Sequence, residues 1–393
     1  MRASSGRPRA HRDGGPGKRP APASARTGSK IQPRLPRQVA RHKIPAPMTH
    51  FDPNAAALPD SGIYGLPVDF DAAEVHVLPM PFDATASYRK GAWRGPQAIL
   101  RASRQVDLFD ALTGRPYERG IAMLASDPRV AELNREASEL ADRIIERGGA
   151  IAGEVELEDA LRRVNAIGDE LNAIVRAATH AILERGKLPA LLGGDHSTPF
   201  GAIQACAERF DDFGVLHFDA HADLRVEYEG FEWSHASIMD NVVRKLPRVR
   251  KLAQVGIRDF CEEEFERIRN SRGRIVSVFD REWSSLRMAG AGMRQRMRAH
   301  IAELPAQVYV SFDIDGLDPS LCPNTGTPVP GGLSWGEALA WLEELASSGR
   351  RVVGLDLNEV NPGAASDDED SWDAMVGARL FYCMLGVALA TRR

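Results

Sequence analysis

The sequence predicts an α/β domain, a central parallel sheet with helices on both faces, and three observations predict it. From Glu74 onward, short β-branched apolar runs alternate with long stretches of helical periodicity, the mark of repeated strand–helix–strand units. A long amphipathic segment lies between two of those runs, which suits a crossover helix. With 393 residues, 43% hydrophobic and 26% charged, the chain can bury a large core.

Taken in order, the strand candidates are residues 75–78, 190–192, 215–218, 252–255, 308–312 and 352–355. The helix is expected over 157–185, with Leu161, Val164, Ile167, Leu171, Ile174, Val175 and Ala178 on one face. Gly186 and Pro189 stop it. No internal repeat is visible, and the acidic run from Asp367 to Asp370 reads as a solvated loop. One doubly wound domain over residues 48–393 follows.

Residues 1–47 are a different material. They hold twelve Lys or Arg against one acid, Asp13, about +11, which leaves about −15 on the rest of a chain whose total is −4. Rich in Pro, Gly, Ser and Ala and without apolar periodicity, this segment is expected to be disordered. It reads as an extension upstream of a start at Met48, a solvated tail or an Arg-rich transit peptide; it lacks the apolar core of a secretory signal. No run approaches the ~20 apolar residues of a membrane span, so no membrane contact is expected. Cys206, Cys261, Cys322 and Cys383 are scattered, without zinc-ligand spacing, which fits a reducing cytoplasm. A nucleic-acid role would rest on the basic segment alone, because a body at about −15 is repelled by phosphate.

Three strand candidates run directly into acids and histidines: Gly193-Gly194-Asp195-His196-Ser197, His217-Phe218-Asp219-Ala220-His221-Ala222-Asp223, and Ser311-Phe312-Asp313-Ile314-Asp315-Gly316-Leu317-Asp318-Pro319. Parallel sheets place ligand sites beyond the carboxyl ends of their strands, so the three clusters converge on one edge. In extended chain, residues two apart share a side, which makes Asp219, His221 and Asp223 one row and Asp313 and Asp315 another. The set holds four carboxylates and two imidazoles; the carboxylates repel prohibitively at close range unless cations sit among them, and two divalent ions account for the set. Oxygen-rich sites with some imidazole suit Mn²⁺, with Ni²⁺, Fe²⁺, Co²⁺ or Zn²⁺ as alternatives. Two such ions can share a water and lower its pKa, which is hydrolytic chemistry. Asp195 and Asp318 are assigned to turn or orienting roles, His217 to a strand face against helices, and His180 to a helix surface.

These motifs resemble the ureohydrolase family of arginases, agmatinases and other guanidino-compound hydrolases: GGDHS at 193–197, DAHAD at 219–223, SFDIDGLDP at 311–319, NTGTPVPGGL at 324–333, DLNEVNP at 356–362 and, upstream, SYRKGAWRGPQAIL at 87–100. The resemblance covers Phe51 to the C-terminus. It implies a three-layer α/β/α sandwich, two manganese ions per subunit, and a trimer or hexamer. It places His196, Asp219, Asp223 and Asp313 around one ion and Asp219, His221, Asp313 and Asp315 around the other. It makes His235 a proton shuttle to the leaving amine and Glu359 the carboxylate that grips the substrate guanidinium, with Asp223 orienting the nucleophile.

The substrate is less narrowly implied. Arg225 stands where arginases commonly carry an asparagine, which speaks against arginine. The loop from Arg225 to Trp233 offers Glu227, Glu229 and Glu232 to a second cation such as the distal amine of agmatine. Alternatively, Arg225 meets the carboxylate of a guanidino acid, or pairs with Glu227 or Glu229, while Tyr228, Phe231, Trp233 and Trp372 narrow the pocket to guanidine itself. The motif spelling ranks agmatine first. A one-zinc deacetylase-like hydrolase is disfavoured by the six-residue ligand set, and a non-catalytic subunit by its completeness.

Overall fold

The computed structural model describes residues 51–290, 292–364 and 370–392. The expectation of a disordered segment over 1–47 lies outside them, as does most of the acidic run after Ser366.

Eight strands form one sheet: β1 (Val75–Met80), β2 (Ile121–Met123), β3 (Leu188–Gly193), β4 (Phe213–Phe218), β5 (Val249–Ile257), β6 (Ile275–Phe279), β7 (Gln307–Asp313) and β8 (Arg351–Asn358). Their order is β2-β1-β3-β8-β7-β4-β5-β6, and neighbours pair in parallel. The helices are α1 (Gly95–Ala102), α2 (Pro128–Ile145), α3 (Val155–Glu184), α4 (Phe200–Arg209), α5 (Ile238–Lys245), α6 (Glu262–Asn270), α7 (Asp280–Ala289), α8 (Met293–Ala302), α9 (Trp335–Ala346) and α10 (Trp372–Ala390). The α/β/α expectation is met. The six expected strands are present and longer at one or both ends; β2 and β6 are additions at the two edges of the sheet.

Two buried clusters lie against the sheet. One, with Leu216, Phe218, Val255, Phe312, Trp341 and Leu357, holds α9 and α10; the other, with Val215, Leu191, Ile203, Val242 and Tyr309, holds α3, α4 and α5. Consecutive residues of one strand feed opposite clusters, as the two-residue period of a strand requires. One correction concerns length: α10 is 19 residues and apolar enough to cross a membrane, yet 78% of it is buried inside the fold. It is a core helix, apolar all round because it is covered all round. Among the described residues the four cysteines form no disulfide.

The sheet order creates the place for a site. β4 leads to α5 on one face and its neighbour β7 leads to α9 on the other, so the loops after these two strands diverge around a crevice at their carboxyl ends.

Candidate active site

Register across the sheet assembles the site. His217 on β4 pairs with Gln254 on β5 and Ser311 on β7, and Ser311 pairs with Asp356 on β8. In-register neighbours of parallel strands project to the same face, so four polar side chains form one row. Two residues further along, on that face again, come Asp219, Asp313 and Asn358. The first row supports the second. Gln254 Nε2 donates to His217 Nδ1 at 3.1 Å, which leaves the ring proton on Nε2 to be donated to Asp219 Oδ2 at 2.8 Å. Asn358 Nδ2 and Ser311 Oγ both donate to Asp356 Oδ1, at 2.5 and 2.9 Å. Ser311 Oγ accepts in turn from His196 Nε2 at 2.9 Å. That bond turns Nδ1 of His196 toward the carboxylates, where a metal ion would take the place of its proton, the usual way an outer partner aims a ligand histidine.

Three carboxylate oxygens converge on that nitrogen: Asp219 Oδ2 at 3.0 Å, Asp223 Oδ2 at 3.3 Å and Asp313 Oδ2 at 3.4 Å. Beside them His221 Nδ1 lies 3.4 Å from Asp219 Oδ1 and 3.1 Å from Asp315 Oδ2. Donor atoms that share one divalent ion at ~2.1 Å stand about 3 Å apart. The spacing fits two ions with Asp219 giving one oxygen to each. Asp315 Oδ2 is buried and accepts no hydrogen bond of good geometry, the His221 ring at 3.1 Å being its nearest donor, so it is placed to take a cation. The six sequence-predicted ligands are thus brought together, and their chemistry suits two metal ions. Asp219 Oδ1 accepts the His221 N–H at 2.6 Å and Asp313 Oδ1 the Asp315 N–H at 2.8 Å, so the two carboxylates expected to bridge are oriented by the same kind of backbone bond.

The charge balance agrees. Burial, with the negative charge of neighbouring carboxylates, pushes Asp223 and Asp313 well above the ordinary carboxylate range. Burial by itself would lower His196 and His221, but their carboxylate neighbours raise both well above an ordinary imidazole. Without metal, the cluster holds protons where cations would serve.

Glu359 follows β8 in the left-handed region, φ 61°. Its amide donates to Gly194 O at 2.8 Å, its carbonyl accepts from Thr325 Oγ1 at 3.0 Å, and Oε1 accepts the His196 N–H at 2.9 Å. Among the described residues no donor reaches Oε2, which faces Gly326, where a Cβ would stand 3.4 Å away. Asp223 is the second left-handed residue, φ 53°; its carbonyl accepts the Met239 and Asp240 N–H groups, both at 3.0 Å, at the start of α5. Strained positions of this kind persist only where surroundings over-determine them, and they gather at functional sites.

His235 opens a short 3₁₀ turn capped by Ser234 and hydrogen-bonds to the Thr85 backbone. Burial, with the cationic His221 nearby, pushes its imidazole down to about 4. It is neutral at neutral pH, so it must receive a proton before it can donate one.

The two residues expected to bind substrate already have partners within the protein. The Trp233 indole packs on Phe200 (centroids 4.8 Å apart), lies under Lys245 Nζ at 4.6 Å and donates to Asp169 at 2.9 Å. Its ring is therefore engaged with α3, α4 and α5. Arg225 meets neither Glu227 nor Glu229: its Nε is 3.9 Å from Glu264 and its guanidinium lies 5.1 Å over the Tyr228 ring. Phe231 is buried against α2 and α3, and Trp372 is exposed, donating to Ser320 O at 3.1 Å.

His217, assigned to the helices, faces the cluster instead. The same two-residue period that linked Asp219 to His221 links it back to His217, so the signal was present. Asp195 orients its neighbours, accepting from Ser197 N at 3.0 Å, Ser197 Oγ at 2.5 Å and Thr85 at 3.3 Å. Asp318 shapes a turn through Ser320, and His180 pairs with Glu208 on the surface. Sequence reasoning passed over Asp83, which accepts the Gly91 N–H at 2.7 Å and ties down the glycine-rich loop.

Comparison with known proteins agrees with this geometry. The family model described as the arginase family matches residues 73–386. The N(1)-aminopropylagmatine ureohydrolase of Thermus thermophilus is 35% identical over 319 residues, 81% of this chain and 91% of that protein. The agmatinase of Bacillus subtilis is 31% identical over 297 residues, 75% and 86% of the two chains. Among solved structures, Bacillus subtilis arginase aligns with a TM-score of 0.59 at 26% identity, covering 79% of this chain and 98% of that one.

Proposed function

The chain belongs to the arginase family of hydrolases acting on guanidino compounds, and from that premise we propose that it hydrolyses agmatine to putrescine and urea. One observation carries the reading: Glu359 presents Oε2, which no described donor reaches, beside a cluster whose donor atoms stand at metal-ligand spacing. A guanidinium is planar and permanently cationic, and a carboxylate holds such a fork best. His196, Asp219, Asp223 and Asp313 on one side, and Asp219, His221, Asp313 and Asp315 on the other, would hold two divalent ions, manganese first and nickel second. When bound, those ions supply a water activated for attack at neutral pH.

The chain's own groups do the rest. Glu359 fixes the guanidinium carbon in front of the cluster, and Asp223 orients the attacking water. As the C–O bond forms, the neutral His235 takes one of the water's protons; as the C–N bond breaks, it returns that proton to the leaving nitrogen, and the remaining hydroxyl proton also passes to the amine, which departs as an ammonium beside neutral urea. The 35% identity to a protein named for N(1)-aminopropylagmatine favours a second reading, in which the substrate's distal amine carries a further aminopropyl group. Glu227, on the exposed part of the loop, is available to that cation.

The test is urea release by manganese-loaded and nickel-loaded protein from agmatine, N(1)-aminopropylagmatine, arginine, 4-guanidinobutyrate, 3-guanidinopropionate and guanidine. Agmatine is expected to give the highest kcat/KM. A clear preference for a guanidino acid or for guanidine would overturn the substrate, and no urea from any of them would overturn the activity.

A further inference from the structure

The loop that carries Tyr228 and His235 is not held by the site it serves. Tyr228 and Phe231 exchange backbone hydrogen bonds, 3.2 and 2.8 Å, around Glu229 (φ 53°) and Gly230 (φ 86°). That is a two-residue turn with both central residues left-handed, a conformation that glycine or asparagine adopts readily and glutamate does not. Something outside the turn must hold it. Phe231 is fully buried between α2 and α3 with Ile144, Leu157, Ala160 and Val164. Gly149, in the α2–α3 turn, passes so close that a Cβ there would stand 2.7 Å from the Glu229 Cα.

Along α3 the contacts follow the helical repeat, which puts residues 161, 165, 168 and 169 on one face. A Cβ on Gly230 would stand 2.8 Å from Leu161. Asn165 bonds twice, donating from Nδ2 to Gly230 O at 3.3 Å and accepting the Glu232 N–H on Oδ1 at 2.9 Å. One turn later Gly168 leaves room for Trp233, whose Cδ1 would lie 2.5 Å from a Cβ there, and Asp169 accepts the indole N–H. A glycine inside a helix costs about 1 kcal/mol relative to alanine, which is consistent with a close approach that needs it. The two sets of contacts reach different parts of the loop. Asn165 holds the turn that presents Tyr228 edge-on to His235, ring centroids 6.2 Å apart. Trp233 immediately precedes Ser234, which caps the turn bearing His235.

We propose that α3 positions the loop through two separable clamps: Asn165 sets the turn at Tyr228 beside Glu227, the exposed carboxylate offered above to the substrate's distal cation, and Gly168 with Asp169 and Trp233 sets His235, which moves the proton. This rests on the activity proposed above, and its kinetic signature is a split between neighbouring residues of one helix. With agmatine, Asn165→Ala is expected to raise KM about fivefold to tenfold and leave kcat within about twofold. Gly168→Ala and the milder Trp233→Phe are expected to lower kcat, the first by about tenfold or more, and leave KM within about twofold. Bound metal, measured by elemental analysis, stays at the wild-type level in all three. Asn165→Asp, which keeps the acceptor for the Glu232 N–H, should recover part of the KM.

Hydrogen exchange reads the same clamps without activity. Asn165→Ala should speed exchange at 228–232 and not at 234–237, and Trp233→Phe the reverse. If no panel compound yields urea from wild-type protein, the activity is refuted while this exchange pattern still decides the clamps. Identical kcat and KM changes in the Asn165 and Gly168 variants, or exchange that rises over the whole loop in each, would overturn the proposal.

Discussion

Val215 and Leu216 in β4 and Asp219 and Asp223 just beyond it are all buried, 0% to 4% exposed, yet burial does opposite things to them. The first pair fills the two cores and stabilises the sheet by about 2 kcal/mol per side chain. The second pair is crowded with other acids, and Asp223 sits in a left-handed backbone conformation. β7 and β8 repeat the contrast: Phe312 and Leu357 are core, while Asp313 and Glu359 beside them are held well above ordinary carboxylate pKa values, first by burial and then by their neighbours' charge. The lesson is that the strand interiors fix the fold, and the carboxyl edge holds a strained, charged arrangement that the interior is stable enough to support.

The contrast makes predictions on each side. The largest concerns chemistry: Asp219→Asn, which weakens donor atoms of both halves of the cluster, is expected to lower kcat/KM by about a thousandfold or more, as measured by urea release, while circular dichroism shows an intact fold. Loss of the fold would mean that the edge supports the core, contrary to the comparison. Next, Phe312→Ala, which removes a ring stacked on Phe218 at a centroid distance of 4.7 Å, should cost about 3 to 5 kcal/mol in denaturant unfolding. A cost below about 1 kcal/mol would show that the interior is less tightly packed than argued.

The smallest effect has a sign that depends on pH. A carboxyl whose folded pKa is raised holds its proton in the fold after the unfolded chain has lost it, so its contribution to stability falls as pH rises from the ordinary carboxylate value through the folded one. In metal-free protein, Asp223→Asn should therefore change stability little near pH 4 and stabilise progressively as pH rises toward 7. Destabilisation at both values would mean that Asp223 is a structural support and not a strained ligand.

Much of this was legible because two local rules coincide. A strand puts residues two apart on one face, and a parallel sheet gathers strand ends, so Asp219, His221, Asp223, Asp313 and Asp315 could be placed together without coordinates. The edge strands were not legible: β2 is three residues long, and β6 alternates polar Ser277 with apolar neighbours and is only partly buried. That Gln254, Ser311 and Asp356 join His217 in a supporting row depends on register between strands up to about a hundred residues apart, which no local pattern carries. Trp233 misled for a related reason: an aromatic in a loop near the site resembles a pocket wall until Gly168 on α3 is seen to make room for it.

The central claim is a pair of ions joined by Asp219, and anomalous diffraction from manganese-soaked crystals tests it most directly. Two peaks are predicted, one among His196, Asp219, Asp223 and Asp313 and the other beside His221 and Asp315, with the Asp219 carboxylate between them. A single peak, or none at saturating manganese, would contradict the account.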